Sequence, residues 1–203
     1  MDRLSSVTRR LGLARLLAGT LALGACGEDT TVTPEPTPRR TEAVAAHHTD
    51  PAERFCDVSA PEGQGPMLTL PHTDGAAMGT SGWRWLNVWA TWCHPCLEEM
   101  PTLRGWPARL ATDEAPITLS FLSVDATPEA LATYRAANAD APETARLDDA
   151  GGLPVLLTAL GLDAGATIPI HVLVDPTGHV RCARTGSIAE RDYETLREIV
   201  RGH

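Results

Sequence analysis

The chain contains no lysine, and all seventeen of its basic residues are arginine, which we interpret as a compositional bias. It also lacks an internal repeat and any excess of positive charge, since its formal net charge is -9. Residues 1–25 hold four arginines and one aspartate, a net charge of +3, so the remainder carries -12. An acidic surface of this kind argues against nucleic acid as a partner.

The N-terminus has no apolar run of the roughly 20 residues that a stable membrane-spanning helix needs. Four arginines accompany a shorter apolar stretch over residues 16–23, and Gly24-Ala25-Cys26 follows it. This layout is typical of a secretory signal, which is removed from the mature protein. Leu23-Gly24-Ala25-Cys26 also resembles a bacterial lipobox, which implies cleavage before Cys26 and acylation of that cysteine as a membrane anchor. The alternative is an ordinary secretory signal with an incidental cysteine.

The chain divides into three predicted parts. Residues 1–25 are the signal peptide, of the lipoprotein type. Residues 26–54 are rich in threonine, proline and charge and lack an apolar period, so we predict a disordered tether. Residues 55–203 form one globular domain, because a hydrophobic content of 43% is enough to build a core.

Two cysteines stand three positions apart in Trp92-Cys93-His94-Pro95-Cys96, directly after an apolar run over residues 85–90. That run is too short for a helix and suits a strand buried on both faces. Pro95 fits the first turn of a following helix, where its missing N–H costs nothing. Both sulfurs then lie on one face of this turn, where the free N–H groups stabilise a thiolate on Cys93. We predict that Cys93, at an exposed tip, is the nucleophile and that Cys96 is the resolving thiol.

A structural zinc site is the alternative for Cys93 and Cys96, but it needs two further Cys or His ligands at comparable spacing. The sequence offers none, so we predict no metal. With Cys26 acylated and Cys93 paired with Cys96, only Cys56 and Cys182 remain, and we predict a structural disulfide between them. Disulfides accompany export to an oxidising compartment. Two unrelated thiols are the alternative.

The globular region alternates predicted strands and helices. Strands are expected at residues 67–70, 85–90 and 117–124, followed by a hairpin of residues 170–174 and 180–183. One helix is expected to begin at Cys93, with a kink at Pro101 and a restart over residues 106–111. Further helices are expected over residues 127–138, with Thr127 as the N-cap, over residues 153–160 and over residues 188–200. This order implies an α/β protein whose central sheet has helices on both faces.

The buried strand, the Trp-Cys-x-x-Cys helix start, Ile168-Pro169 before a hairpin and a closing helix together resemble the thioredoxin fold. Within it, residues 87–96, Glu99-Met100-Pro101 and residues 174–178 resemble the membrane-anchored TlpA/ResA family. The resemblance covers about residues 55–203 and is loose over residues 139–167. It implies a central mixed sheet and a thiol-disulfide oxidoreductase outside the cytoplasmic membrane. Such proteins are commonly reductases in cytochrome c maturation or copper-site assembly.

The resemblance also implies that Pro169 is cis and faces the dithiol, which would let the backbone of Ile168 pair with an extended partner segment. By this resemblance, Asn87 occupies the position at which cytosolic thioredoxins have a buried aspartate. Because an asparagine cannot accept a proton, the base for Cys96 must be water, a carboxylate such as Glu98 or Glu99, or the substrate. We therefore expect slow, partner-dependent exchange.

His94 and Trp92 flank the nucleophile. A protonated His94 would stabilise the Cys93 thiolate and make the couple more oxidising, whereas the family resemblance implies a reductase. An exposed His94 with little effect is the alternative. We expect Trp92 to form an apolar collar beside the cysteines.

We expect a monomer that is lipid-anchored in the cell envelope and faces the periplasm or the exterior. Its partners would be exported proteins with thiols or disulfides and a membrane electron donor. No cofactor beyond the redox-active disulfide is expected. A thiol oxidase would run the same cycle in reverse, and a Cu(I) carrier could use Cys93, Cys96 and His94 as soft ligands. A peroxidase of the peroxiredoxin type is disfavoured, because its peroxidatic cysteine usually lacks a Cys-x-x-Cys partner.

Overall fold

The computed structural model describes residues 50–75, 78–149 and 151–202. The predicted signal peptide, Cys26 and the predicted tether up to residue 49 lie outside these described residues. The strands are β1 (Val58–Ser59), β2 (Thr73–Asp74), β3 (Trp83–Trp89), β4 (Ile117–Ser123), β5 (Thr144–Leu147), β6 (Ile170–Val174) and β7 (Val180–Thr185). The helices are α1 (Pro51–Phe55), α2 (His94–Thr112), α3 (Pro128–Ala137), α4 (Gly152–Ala159) and α5 (Tyr193–Arg201), with one 3-10 turn at Glu190–Asp192.

The strands form one sheet in the order β1-β7-β6-β3-β4-β5-β2. Strands β3, β4 and β5 are parallel, and helices α2 and α3 make the crossovers between them. Strand β6 runs antiparallel to β3, and β7 runs antiparallel to β6. Two β-α-β crossovers, an antiparallel hairpin and a closing helix around a mixed sheet make the thioredoxin-like fold. The predicted α/β fold class is confirmed.

Helices cover both faces of the sheet, as predicted. Alternate residues of a strand point to opposite faces, and in β3 the side chains of Leu86 and Val88 pack on the face that α4 covers. Trp85 and Trp89 pack on the other face, with side chains of α1, α2, α3 and α5. Asn87 shares the face of the two tryptophans, so its side chain is directed towards α2.

Helix α2 is continuous, so the predicted restart at residue 106 is wrong. Both Pro101 and Pro107 lie inside it. A proline removes one backbone hydrogen bond from a helix, but Leu103, Trp106 and Leu110 are buried on both sides of Pro107. Their packing against the sheet holds the helix in one piece despite the lost bond.

Helix α1 falls inside the predicted tether, so the prediction that the domain begins at residue 55 is wrong. The carboxylate of Asp50 caps this helix by accepting the N–H of Ala52 at 2.9 Å. It also accepts two hydrogen bonds from Arg181 at 2.5 Å, and Ala52 is fully buried. Five helical residues are too few to show an apolar period, so the composition of this segment did not reveal the helix.

The predicted strand at residues 67–70 is also wrong, since within this described segment only Met67 forms a single bridge, to His179. Pro66 and Pro71 flank the segment, and a proline cannot donate to a strand ladder. The short strands β1, β2 and β5 were not predicted. They have two to four residues each, which is too short for alternation to be visible.

The last helix begins later than the predicted residue 188. The carboxylate of Asp192 accepts the N–H of Ala189 at 2.8 Å and holds the chain in a 3-10 turn before α5 begins at Tyr193. Helix α3 and the β6-β7 hairpin match their predictions, and Thr127 caps α3 as expected. Among the residues that the structure describes, no helix has both the length and the apolar content to cross a membrane.

Cys56 and Cys182 are joined by a disulfide that closes a loop of 126 residues between the end of α1 and β7. In the chain-entropy model a loop of this length contributes roughly 4 to 5 kcal/mol. We expect Cys56→Ala/Cys182→Ala to lower the free energy of unfolding in urea by about 3 kcal/mol or more. As a control, Cys93→Ala/Cys96→Ala opens a link between residues only three apart and is expected to lose roughly 2 kcal/mol or less. A larger loss in the control would contradict the argument.

The pKa of Asp50 is lowered: burial raises it, but the hydrogen bonds from Arg181 and Ala52 and the charge of Arg181 outweigh that effect. A lowered folded-state pKa means stability that is present above the unfolded value of about 3.9 and is lost as the pH falls through the folded value. We expect Asp50→Asn to reduce the free energy of unfolding by about 1 kcal/mol at neutral pH. Urea unfolding should show this gap from wild type shrinking in strong acid, and a gap that widens there would refute the assignment.

Candidate active site

A tight turn carries the chain from β3 to the amino end of α2. The N–H of Cys93 donates to the carbonyl of Ala90 at 3.1 Å, and Cys93 is the N-cap residue of the helix. Pro95 lies in the first turn, as predicted. The side chain of Cys93 makes no capping hydrogen bond. The free N–H groups of this turn therefore remain available to stabilise a thiolate.

Cys93 and Cys96 form a disulfide with Cα atoms 5.3 Å apart. Cys96 is 0% exposed and Cys93 only 4% exposed, so the prediction that Cys93 sits at an exposed tip is wrong. The turn is packed into an apolar cluster with Trp89, Met100 and Phe121, because burying these side chains against the end of the sheet is favourable. The small exposure that remains belongs to the Cys93 residue, since Cys96 has none.

Two apolar features border the disulfide. Trp92 is 69% exposed and lines a shallow cavity of about 160 Å³ with Val124, Leu147 and Leu153, among others. Ile168 packs, partly buried, against the cluster that holds both cysteines. The Ile168–Pro169 peptide bond is cis, as the resemblance implies. An exposed tryptophan thus precedes Cys93 in the chain, and the loop before β6 packs against the cluster that holds both cysteines.

His94 and Glu98 lie on the outer face of α2, one turn apart. His94 Nδ1 is 3.5 Å from Glu98 Oε1, and the two side chains are 82% and 68% exposed. The negative charge of Glu98 therefore opposes the effect of a protonated His94 on Cys93, and solvent weakens both.

Asp125 holds the turn in front of the cysteines. This fully buried carboxylate accepts the backbone N–H of Thr91 at 3.0 Å, the Thr91 hydroxyl at 2.7 Å and the Ser123 hydroxyl at 2.7 Å. Asp125 is two residues beyond the end of β4, so the chain after β4 fixes the residue before Trp92. The sequence analysis did not assign Asp125 a role.

Asn87, Glu99 and His171 form a buried polar cluster on the α2 face of the sheet, each at most 5% exposed. Asn87 and His171 are paired across β3 and β6, so their side chains share one face. Glu99 Oε1 accepts the Nδ2–H of Asn87 at 3.0 Å, and Oε2 accepts the backbone N–H of Ile188 at 2.7 Å. His171 Nε2 lies 3.3 Å from Oε1, but its angle is too poor for a full hydrogen bond.

Trp85 determines which ring nitrogen of a neutral His171 carries the proton. The indole Nε1–H donates to His171 Nδ1 at 3.2 Å. Because an indole can only donate, Nδ1 must offer a lone pair, and a neutral His171 then carries its proton on Nε2. Nε2 is the ring nitrogen that lies 3.3 Å from Glu99 Oε1. The Glu99 carboxylate thus accepts N–H groups from Asn87 and Ile188 and has the His171 ring beside it.

The sequence analysis named Asn87 and Glu99 but missed His171 and Trp85. A histidine inside an apolar strand, two residues after Pro169, was the available signal. Its partner depends on the register of β6 against β3, which the sequence does not reveal. Within residues 50–202, leaving aside the undescribed positions, no cluster of three His, Cys, Asp or Glu side chains has the arrangement of a metal site.

No protein-family model matches this chain. The thioredoxin-like protein YneN of Bacillus subtilis (strain 168) is 24% identical over 112 residues, which cover 54% of this chain and 59% of that relative. The chain thus spans about three fifths of the length of that curated relative.

Solved structures with similar folds include StoA from Bacillus subtilis, with a TM-score of 0.46, 17% identity and coverage of 65% of this chain and 98% of that one. The thioredoxin domain of a thiol-disulfide oxidoreductase from Bacteroides vulgatus gives a TM-score of 0.48, 15% identity and coverage of 66% and 97%. A thiol:disulfide interchange protein of the thioredoxin family from Chlorobium tepidum TLS gives a TM-score of 0.45 and 19% identity, with coverage of 66% of this chain and 98% of that one. The fold assignment itself rests on the strand order of this chain.

Removing the Asp125 carboxylate should loosen the turn before Cys93. Asp125→Ala leaves two partly buried donors of Thr91 and the buried hydroxyl of Ser123 without their acceptor, so we expect a loss of roughly 2 to 4 kcal/mol in the free energy of unfolding and slower alkylation of the reduced Cys93. Asp149→Ala is a matched control, because Asp149 is an exposed aspartate that lines the cavity beside Trp92. Equal losses in the two variants would mean that Asp125 has no special part in holding the turn.

Proposed function

We propose that the protein is a thiol-disulfide oxidoreductase that exchanges the Cys93–Cys96 disulfide with disulfides or thiols of other proteins. The observation that carries this proposal is the asymmetry of the disulfide at the start of α2, where the only exposure belongs to Cys93. A purely structural disulfide has no need of a helix N-terminus that stabilises a thiolate, whereas thiol-disulfide exchange proceeds through a thiolate.

The reaction as a reductase begins with both cysteines reduced. The Cys93 thiolate attacks one sulfur of the client disulfide, that disulfide breaks, and the departing client thiolate takes a proton from solvent. Cys96 then loses its proton and attacks Cys93, which releases the second client thiolate and closes the Cys93–Cys96 disulfide. Two electrons have moved to the client, so a dithiol donor must reduce the protein before the next cycle.

Glu99 is a better candidate than Glu98 for the base that takes the proton of Cys96. Glu98 is exposed and lies beside His94. Glu99 is buried and is three residues after Cys96 on the same helix, which puts both side chains on one face. Asn87 cannot take the proton itself, but it binds the carboxylate that can.

The reducing direction is supported by the surroundings of His94. An unpaired protonated histidine beside Cys93 would stabilise the thiolate and so favour an oxidant. Here the Glu98 carboxylate lies 3.5 Å from the His94 ring and counteracts that charge. The clients that fit the resemblance are exported proteins, as in cytochrome c or copper-site assembly.

The proposed location is the cell envelope, with Cys26 as the lipid anchor and a membrane dithiol as the electron donor. The Cys56–Cys182 disulfide supports export, because structural disulfides persist in oxidising compartments and are rare in the cytosol. The net charge of -12 beyond residue 25 suits a monomer that does not bind nucleic acid.

The test is the catalysed reduction of insulin disulfides by the full chain without added metal. We expect Cys93→Ala to abolish catalysis, because the attacking sulfur is gone, and Cys96→Ser to accumulate a mixed disulfide on Cys93 that mass spectrometry identifies. Cys56→Ala/Cys182→Ala is the control and should keep its exchange activity. Catalysis that survives Cys93→Ala would refute the proposal. Tight Cu(I) binding with no exchange activity would favour a copper carrier instead.

A further inference from the structure

We propose that His171 is a positioning residue that holds the Glu99 carboxylate in place to take the proton of Cys96, an inference that rests on the function proposed above. His171 is only 1% exposed, so it cannot contact a client. Among the described residues, the ion pairs of Glu99 include no basic side chain other than His171. Any influence of His171 on the reaction must therefore pass through the buried cluster.

The orientation of His171 is set from the side opposite Glu99. Trp85 Nε1–H donates to Nδ1 at 3.2 Å, and Asn87 Nδ2 lies 3.5 Å from the same nitrogen. Both neighbours present N–H groups, so Nδ1 acts as an acceptor and the proton of the neutral ring is on Nε2. The ring is thus held with Nε2 3.3 Å from Glu99 Oε1, although the N–H is not aligned for a full hydrogen bond.

The cluster has unused hydrogen-bonding capacity in the disulfide form. His171 Nε2 and Asn87 Oδ1 are both buried and have no full hydrogen bond, a state that costs roughly 1 to 3 kcal/mol per group. The neighbouring residues of β6 are apolar and fully buried, so an aliphatic side chain at this position would avoid that cost. His171 Nε2 lies 3.3 Å from Glu99 Oε1, so this N–H gains an acceptor if the carboxyl turns as it takes up the proton of Cys96.

In the resolving step the proton of the Cys96 thiol passes to Glu99, and the Cys96 sulfur bonds to the Cys93 sulfur. The bond between Cys93 and the client breaks, and its electron pair leaves on the client sulfur, which takes a proton from solvent. The protonated Glu99 keeps lone pairs that can accept the Nε2–H of His171 once the carboxyl has turned. His171 thereby limits where the carboxyl can move during the transfer.

The test mixes the fully reduced full chain with one equivalent of a chromogenic aromatic disulfide and records the two releases of coloured thiolate. The first release reports attack by Cys93, and the second reports resolution by Cys96. The variants are His171→Phe, which keeps a planar ring without nitrogen, and His171→Gln, which restores an acceptor for Trp85 and a donor for Glu99. Glu99→Gln and the double variant Glu99→Gln/His171→Phe show whether His171 acts through Glu99.

We expect His171→Phe to slow the second release about tenfold or more, since small misplacements of a catalytic group have effects of this size. The first release should change far less, and His171→Gln should restore most of the second rate. In the Glu99→Gln background, His171→Phe should cause no further slowing, which a double-mutant comparison detects.

A normal second release in His171→Phe would overturn the inference. So would a lack of rescue by His171→Gln, or full additivity of His171→Phe with Glu99→Gln. The lack of rescue would show that His171 only supports the fold, and additivity would show that it does not act through Glu99. Failure of the wild-type protein to give a first release is a different result, because it would remove the proposed function itself.

Discussion

The carboxylate of Glu99, buried between helix α2 and the sheet, is the constraint that ties the active end of the domain together. It accepts N–H groups from Asn87 on β3 and from Ile188 before α5, and it lies against His171 on β6. A buried charge that loses its partners costs several kcal/mol. The helix that carries both cysteines, the central strand and the antiparallel strand must therefore keep one relative position.

The same arrangement explains why the two cysteines differ. Cys96 and Glu99 share the inner face of α2, whereas Cys93 is at the cap, where the strand end meets the helix start. Cys96 is thus away from solvent, on the helix face that also carries Glu99. Cys93 is the more exposed residue of the two and has the helix N-terminus to stabilise a thiolate.

Local sequence patterns were enough to predict the strand at Trp85, the helix start at Pro95, the cap at Thr127 and the β6-β7 hairpin. Each of these depends on residues close together in the chain. The pairing of Cys56 with Cys182 followed from counting cysteines, although 126 positions separate the two. Helix α1 and the edge strands were missed because they are short and are held by distant partners, as Asp50 is by Arg181.

The sequence predicted which two cysteines pair at the candidate site, but it did not predict their burial or the neighbours of the buried polar residues. The spacing of Cys93 and Cys96 indicated that these two cysteines pair, but it did not show that packing against Trp89 and Phe121 would cover them. His171 could not be assigned because its partner, Asn87, is set by strand register. A shift of one residue in that register would turn the histidine to the opposite face of the sheet.

The central claim is that the Cys93–Cys96 disulfide opens and closes while the domain stays folded. The most direct measurement equilibrates the full chain with dithiothreitol at graded ratios of dithiol to disulfide and counts the free thiols of each pair by alkylation. The account predicts one two-electron transition for Cys93–Cys96, with about 30 mV for each tenfold change in the equilibrium constant, while Cys56–Cys182 stays closed. Reduction of Cys93–Cys96 only on unfolding, or only together with Cys56–Cys182, would contradict it.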